Sequence, residues 1–303
     1  MRISKISEVF GSTIEGTPQE KVGDINPTLV KELIKDRGTL VFTGFATPLR
    51  EFEQFIRQFG DDFMSYQGGS YVRQKVSADD TLLSTRSQFA REREDSFELP
   101  LHGEMYYTNS PPVMLWFFCE RPSDTDGETT ICDGAQIYEA LSSDSQDLLA
   151  KRKLKYVRRY KDGEWQRIYQ TNDLNEAIKF CAGNGLDTRV EDGGVLTTEY
   201  VAPGVIKSRW GDHLVYINNM LPVLWQEQQL GRQTSIVRLE DGSRIPEQLI
   251  KEVIAAQERL IIPMRWRRGD FAVIDNTRVM HGRRPFSDPK REIYLRMVRE
   301  VSF

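Results

Sequence analysis

The chain has 303 residues, of which 39% are hydrophobic, 10% aromatic and 28% charged, with a formal net charge of −4. That balance supports a sizeable core under a wetted surface, and no apolar run approaches the roughly 18 residues of a membrane span. Acidic and basic residues are interspersed, which excludes the broad positive field of a nucleic-acid surface. The main basic cluster, "RWRRGD" at 265 to 270, reads as a solvated face. Cys119, Cys132 and Cys181 are an odd set at wide spacings, with neither a disulfide framework nor a C-x-x-C pair. The start of the chain lacks the apolar h-region of a signal peptide, so a reducing, cytoplasmic setting is expected.

In chain order, "TLVKELIKDRG" reads as a helix that stops at Gly38, and "TLVFTGF" as a strand. "PLREFEQFIRQFG" places Leu49, Phe52, Phe55, Ile56 and Phe59 on one helical face between Pro48 and Gly60. Short strand candidates then dominate: "DTLLSTR", "VMLWFFCE", "ETTICDG", "DHLVYINN", "DFAVIDN" and "EIYLRMV", punctuated by Gly, Pro, Asp and Ser. "VMLWFFC" is apolar on both faces, as in a strand covered on each side. Between about 144 and 235 the pattern loosens into polar segments such as "YVRRYKDGEWQR", which read as an irregular lid or binding insertion. "RIPEQLIKEVIAAQERL" is one more helix, with Ile245, Leu249, Val253, Ala256 and Leu260 at helical spacing. No repeat or linker divides the chain, so one domain over 1–303, built as a barrel or jelly roll with flanking helices, is expected.

The chemistry concentrates in histidine, of which the chain has only three. "LPLHGEMYYTNSPP" sets His102 two residues before Glu104, a spacing that puts both on one face of a strand. "VIDNTRVMHGRRPF" carries His281. A short His/carboxylate pair and a distant histidine are what a facial triad for non-haem Fe(II) needs. His213, in "DHLVYINN", reads as an ordinary histidine.

Two blocks carry a family resemblance: "LHGEMYYTNSPPVMLWFFCERPSDTDGETTICDG" and "GDFAVIDNTRVMHGRRPFSDPKREIYLRM". They resemble the taurine-dioxygenase (TauD/TfdA-like) branch of Fe(II)/2-oxoglutarate dioxygenases, in the clavaminate-synthase-like superfamily. Within it, the nearest resemblance is to members similar to the syringomycin-pathway aspartate hydroxylase. The resemblance implies a mainly β, distorted jelly roll, or double-stranded β-helix, with flanking helices and a metal inside the barrel mouth. His102, Glu104 and His281 match the iron ligands, and Fe(II), 2-oxoglutarate and O2 are the implied cofactor and cosubstrates. Glutamate instead of the commoner aspartate still supplies a carboxylate, and because it fills the position that halogenases leave vacant, it argues against halogenation.

The resemblance also assigns the distal carboxylate of 2-oxoglutarate to an arginine fork beyond the last histidine. "PKREI" favours Arg291, with Arg296 as a further participant. Thr129 in "DGETT" matches the threonine that helps hold the same carboxylate, while Thr130 would face the other way along the strand. Asp126 stands where the family usually has glycine, which leaves that turn's geometry open. Arg73, Tyr106, Trp210 and Asn218 match or neighbour substrate-contacting positions, with packing as the alternative. Asp275, Asn276 and Arg283 flank His281 and could orient its ring.

The implied reaction is oxidation of an unactivated C–H bond, with hydroxylation, desaturation and cyclisation all open and succinate and CO2 as coproducts. Relatives modify amino-acid-derived or natural-product intermediates, which implies a polar, cationic or zwitterionic small molecule, free or tethered to a carrier protein. No nucleic acid or membrane partner is expected, and a homo-oligomer stays open. Two rivals remain: a cupin-like metalloenzyme working without 2-oxoglutarate, and a jelly-roll protein that binds a ligand without turning it over.

Overall fold

A computed structural model describes residues 1–69, 72–87, 97–230 and 235–303. The chain opens with β1 (Arg2–Lys5), β2 (Ser12–Glu15), α1 (Pro27–Arg37), β3 (Thr39–Thr43) and α2 (Leu49–Ile56). Next come β4 (Phe63–Met64), β5 (Arg73–Lys75), β6 (Leu82–Ser87), β7 (Leu99–His102), β8 (Met114–Arg121) and β9 (Thr129–Asp133). The middle holds α3 (Gly134–Glu139), α4 (Ser143–Lys151), β10 (Lys153–Tyr160), α5 (Glu164–Tyr169), α6 (Leu174–Gly183), β11 (Asp187–Glu191) and β12 (Val195–Pro203). It continues with β13 (Ile206–Lys207), β14 (Leu214–Val215), α7 (Met220–Leu230) and β15 (Ser235–Leu239). α8 (Glu247–Leu260), β16 (Ile262–Met264), β17 (Phe271–Asp275), β18 (Val279–Arg283) and β19 (Glu292–Val298) complete it.

Among the described residues, the principal sheet runs β1-β2-β3-β17-β8-β19-β6-β5, with β4 also on β19, and a four-stranded sheet runs β16-β9-β18-β7. These two sheets form the jelly roll. Sequence-distant strands pair within both, β17 with β3 and β8, and β18 with β9 and β7. The helices begin and end where local chemistry dictates. Asn26 caps α1 by accepting the Thr28 N–H, and the left-handed Gly38 (φ 69°) stops it. α2 presents Phe52, Phe55 and Ile56 to the principal sheet, and its last turn tightens into a 3₁₀ segment at Arg57–Phe59.

The principal sheet separates two cores. On the helix side, Phe42, Phe52, Phe55, Phe59, Trp116 and Phe271 interlock, with Phe42 and Phe271 stacked at 4.4 Å. Fully burying each such side chain contributes about 1.5–3 kcal/mol. On the other side, Leu115, Phe117, Ile131, Leu295 and Met297 form the floor beneath the mouth of the roll.

The stretch read as irregular is regular. β11-β12-β10-β15 form a separate sheet, backed by α5 and α6; residues 231–234, at the end of the expected lid, lie outside the described residues. Along β10, Leu154, Tyr156, Arg158 and Tyr160 are buried, so the period-two pattern exists with an arginine in one inward place. This sheet adjoins the mouth: Arg158 donates to Gly68 O (2.8 Å), and Tyr156 accepts from Asn219 N–H (3.1 Å), next to Asn218, whose carbonyl accepts from Gly103 N–H (3.1 Å). No described helix is long and apolar enough to cross a membrane.

Candidate metal centre

His102 ends β7, and His281 sits directly opposite it on β18. Between this pair and the Arg283–Leu99 pair, β7 carries one extra residue, and this bulge contains Pro100. The Pro100 carbonyl lies 3.0 Å from His102 Nδ1 and accepts its proton, leaving Nε2 to face inward. The two imidazole centroids are 4.4 Å apart, and the Phe117 ring lies 5.3 Å from that of His281.

Glu104 reaches the same point by a different route from the expected one. β7 stops at His102, so Glu104 belongs to the turn that follows and period two does not place it. Gly103 is needed there, because a Cβ would come within 2.4 Å of the Tyr106 ring. Met105 takes a left-handed φ of 61°, a strained choice for this side chain. Asn276 holds the turn: it accepts from Glu104 N–H (2.9 Å) and donates to Glu104 O (3.1 Å) and Pro112 O (2.7 Å). Tyr106 buttresses it, its hydroxyl donating to Asn276 O (2.9 Å).

The candidate ligand atoms of His102, Glu104 and His281 all lie within 4.8 Å of one another, and all three residues are buried. Burial and the neighbouring His281 push the His102 imidazole down to about 4. Burial would raise the Glu104 carboxyl, but the Arg73 guanidinium and His281 outweigh it and hold it at about 2. Near neutral pH the cluster therefore offers a neutral His102 and a charged Glu104, the protonation states that a divalent cation requires. Two imidazoles and one carboxylate on one side fit Fe(II) with open positions opposite.

A narrow cavity of about 30 Å³ joins His281 to Thr129, Arg291 and Arg73. Arg291 is 2% exposed. Its Nε donates to Gly127 O (2.9 Å), and its guanidinium lies over the Phe286 ring at 4.9 Å. Asp126 (φ 53°) and Gly127 (φ 70°) are both left-handed, so aspartate preserves the turn that glycine would make. Thr129 stands on β9 two residues before Ile131, the partner of His281, and so on the same face, and accepts from Trp266 Nε1 (2.9 Å). Gly282 lets the strands close, since a Cβ would meet Leu99 O at 2.6 Å and Thr130 Oγ1 at 2.8 Å.

Other expected residues lie elsewhere. Arg296 does not line the cavity. Leu295 does, and alternation along β19 turns Arg296 to the opposite face, where it pairs with Glu53 (2.9 Å). Trp210 stacks on Phe303 at 5.6 Å, and Asn218 caps α7 by accepting the Met220 N–H (2.9 Å). Tyr106 is the strut already described. Asp275 accepts from Thr277 N–H and hydroxyl, and Arg283 lines the cavity wall but donates to Phe97 O; neither orients the His281 ring, whose Nδ1 has no hydrogen-bond partner. Of the flanking residues Asn276 alone reaches the triad, through Glu104. Phe117, Trp266 and Phe286 were not anticipated, because aromatic residues in strands and turns carry no signal that separates a cavity wall from a core.

Asn276→Ala should weaken divalent-metal affinity about 10–100-fold, as losing an outer support does. Isothermal titration with Mn(II) checks this. Affinity within threefold of wild type would show that Glu104 is held without the clamp.

A family model described as "Taurine catabolism dioxygenase TauD, TfdA family" matches residues 2–298. A clavaminate synthase-like protein of Arabidopsis thaliana is 26% identical over 275 residues, covering 86% of this chain and 81% of that protein. The dapdiamide synthesis protein DdaC of Enterobacter agglomerans is 24% identical over 281 residues, covering 85% and 81%. In fold, the chain is similar to PvcB of Pseudomonas aeruginosa, with a TM-score of 0.59, 18% identity and coverage of 98% of this chain and 90% of that one. PvcB is described as an Fe, alpha-ketoglutarate dependent oxygenase from an isonitrile synthetic pathway. With the match running from the first strand to the last, over a jelly roll that gathers two histidines and a glutamate at its mouth, the chain belongs to the TauD/TfdA family and is an Fe(II)/2-oxoglutarate-dependent dioxygenase.

Proposed function

We propose that the protein oxidises an unactivated C–H bond of a small, polar, amino-acid-derived or natural-product substrate, hydroxylation being the favoured outcome. His102, Glu104 and His281 would hold the iron, with Arg291 and Thr129 receiving the distal carboxylate of 2-oxoglutarate. Fe(II), 2-oxoglutarate and O2 together supply the oxidant for C–H cleavage, with succinate and CO2 as coproducts. The observation that carries this reading is the single cavity shared by His281, Thr129 and Arg291, beside a ligand cluster no wider than 4.8 Å.

The chain's own task is positional. The Pro100 carbonyl fixes the His102 tautomer, Asn276 fixes the Glu104 turn, and the Gly127 carbonyl aims Arg291. Phe117, Leu99 and Leu295 give the cavity apolar walls that restrict water, which strengthens each charged contact inside. The β10–β12 sheet beside the mouth would cover the substrate, and regular structure suits a cover that keeps its shape.

Anaerobic addition of Fe(II) and then 2-oxoglutarate to the metal-free protein should develop the visible charge-transfer band of the chelate. Iron uptake without that band would sink the 2-oxoglutarate reading for this chain. Succinate release, measured with free amino acids and with the same acids on a carrier protein, then separates free from tethered substrates.

A further inference from the structure

The oxygen of Glu104 that faces His281 is also the one held by an arginine. Oε2 lies 3.6 Å from His281 Nε2 and 3.2 Å from the Arg73 guanidinium. A cation captured by the triad and Arg73 therefore compete for one atom, and metal uptake would weaken the hold of Arg73 on that carboxylate. Arg73 cannot simply turn to water. Its side chain is 14% exposed, its guanidinium lies over the Tyr66 ring at 4.7 Å, and Nε has no hydrogen-bond partner.

A second buried cation stands behind the first. Tyr107 donates to the Tyr66 hydroxyl (3.2 Å), and the Arg158 guanidinium lies 3.7 Å from the Tyr107 ring centroid. Arg158 is 4% exposed and has no carboxylate partner among the described residues. With the metal reading of the preceding subsection, on which this inference rests, the iron charge would balance that of 2-oxoglutarate, and Glu104 would turn toward the metal and His281. Among the described residues, Arg73 then shares its one carboxylate with a metal and Arg158 has none, in a water-poor place, which is costly until an anion arrives.

We propose that Arg73 is the seat for an anionic group of the substrate, a carboxylate in the first instance. Glu104 occupies the seat until metal draws it away, and Arg158 holds the Tyr107–Tyr66 platform and adds to the field. A carboxylate at Arg73 would lie beside Glu104, on the wall that Arg73 shares with His281. An amino acid or another zwitterion suits this arrangement. A purely cationic substrate does not.

The test uses the full chain loaded anaerobically with Co(II) and 2-oxoglutarate, with acetate as the anionic probe and acetamide as its neutral match. Acetate should shift the cobalt d–d bands saturably and acetamide should not. Arg73→Met should need about tenfold more acetate or greater, the loss of one charge-assisted contact, and Arg73→Lys should recover part of the response. Arg73→Met should bind Co(II) at least as tightly as wild type, because the competing guanidinium is gone, with 2-oxoglutarate affinity unchanged. Four results overturn the proposal: an equal acetate response in Arg73→Met, which marks direct metal ligation; no saturable response in wild type; weaker Co(II) binding in the variant, which makes Arg73 a support for Glu104; or a raised 2-oxoglutarate requirement, which gives Arg73 to the cosubstrate. If wild type takes up neither Co(II) nor 2-oxoglutarate, the metal reading itself falls, and this proposal with it.

Discussion

Replacing His102 or His281 with alanine is expected to lower turnover at least 100-fold and to remove the charge-transfer band. This exceeds the ~10–100-fold cost of losing an outer support, because an open site with two protein ligands has neither the affinity nor the fixed geometry of one with three. The fold should persist, with urea unfolding shifted by no more than about 2 kcal/mol, since a chain of this size rests on its hydrophobic cores. Those cores lie in the aromatic layer over the principal sheet and in the floor of the roll. Normal turnover in either variant would refute the triad, whereas loss of activity together with unfolding would show that the rings are structural. Circular dichroism beside a succinate assay reads both.

Arg291 and Arg296 should separate cleanly. Arg291→Gln removes a charge-assisted fork worth about 1.5–3 kcal/mol, so the 2-oxoglutarate concentration for half-saturation should rise roughly 10–100-fold. Arg291→Lys should fall between, because lysine keeps the charge and loses the planar fork. Arg296→Met should leave that concentration alone and instead destabilise the fold by about 2 kcal/mol, because Arg296 is buried and pairs with Glu53 on α2. A larger 2-oxoglutarate defect in Arg296→Met than in Arg291→Gln would reverse the assignment. Fluorescence-monitored unfolding and an anaerobic 2-oxoglutarate titration decide it.

The arginines show what could be read before the fold was known. Two arginines five positions apart lie near enough in sequence to His281 to be rivals, and only the register of β19 parts them. That His102, Glu104 and His281 come together was legible, while the reason offered for their meeting was not sound. His102 and Glu104 meet across the end of a strand and a strained turn, not by alternation along a strand. The polar appearance of "YVRRYKDGEWQR" hid a β-strand because tyrosine and arginine occupy inward positions, and average hydropathy counts neither as core. The strongest strand and helix expectations, "VMLWFFCE", "DFAVIDN" and "PLREFEQFIRQFG", held because each is densely apolar with clear punctuation. "DHLVYINN" shrank to a two-residue strand at Leu214–Val215.

The direct pairing of His102 with His281 joins two stretches that are far apart in the chain, and β7, which carries His102, is an edge strand among the described residues. An edge strand is the one most free to pair out of step, and a slip of a single residue would swing one imidazole to the far side of the sheet. The histidine pair thus works as a gauge of strand alignment. A misaligned chain could not assemble the centre, so the capacity for oxidation would arrive only with the finished barrel, and cation uptake would report that alignment as directly as any spectroscopic probe of folding.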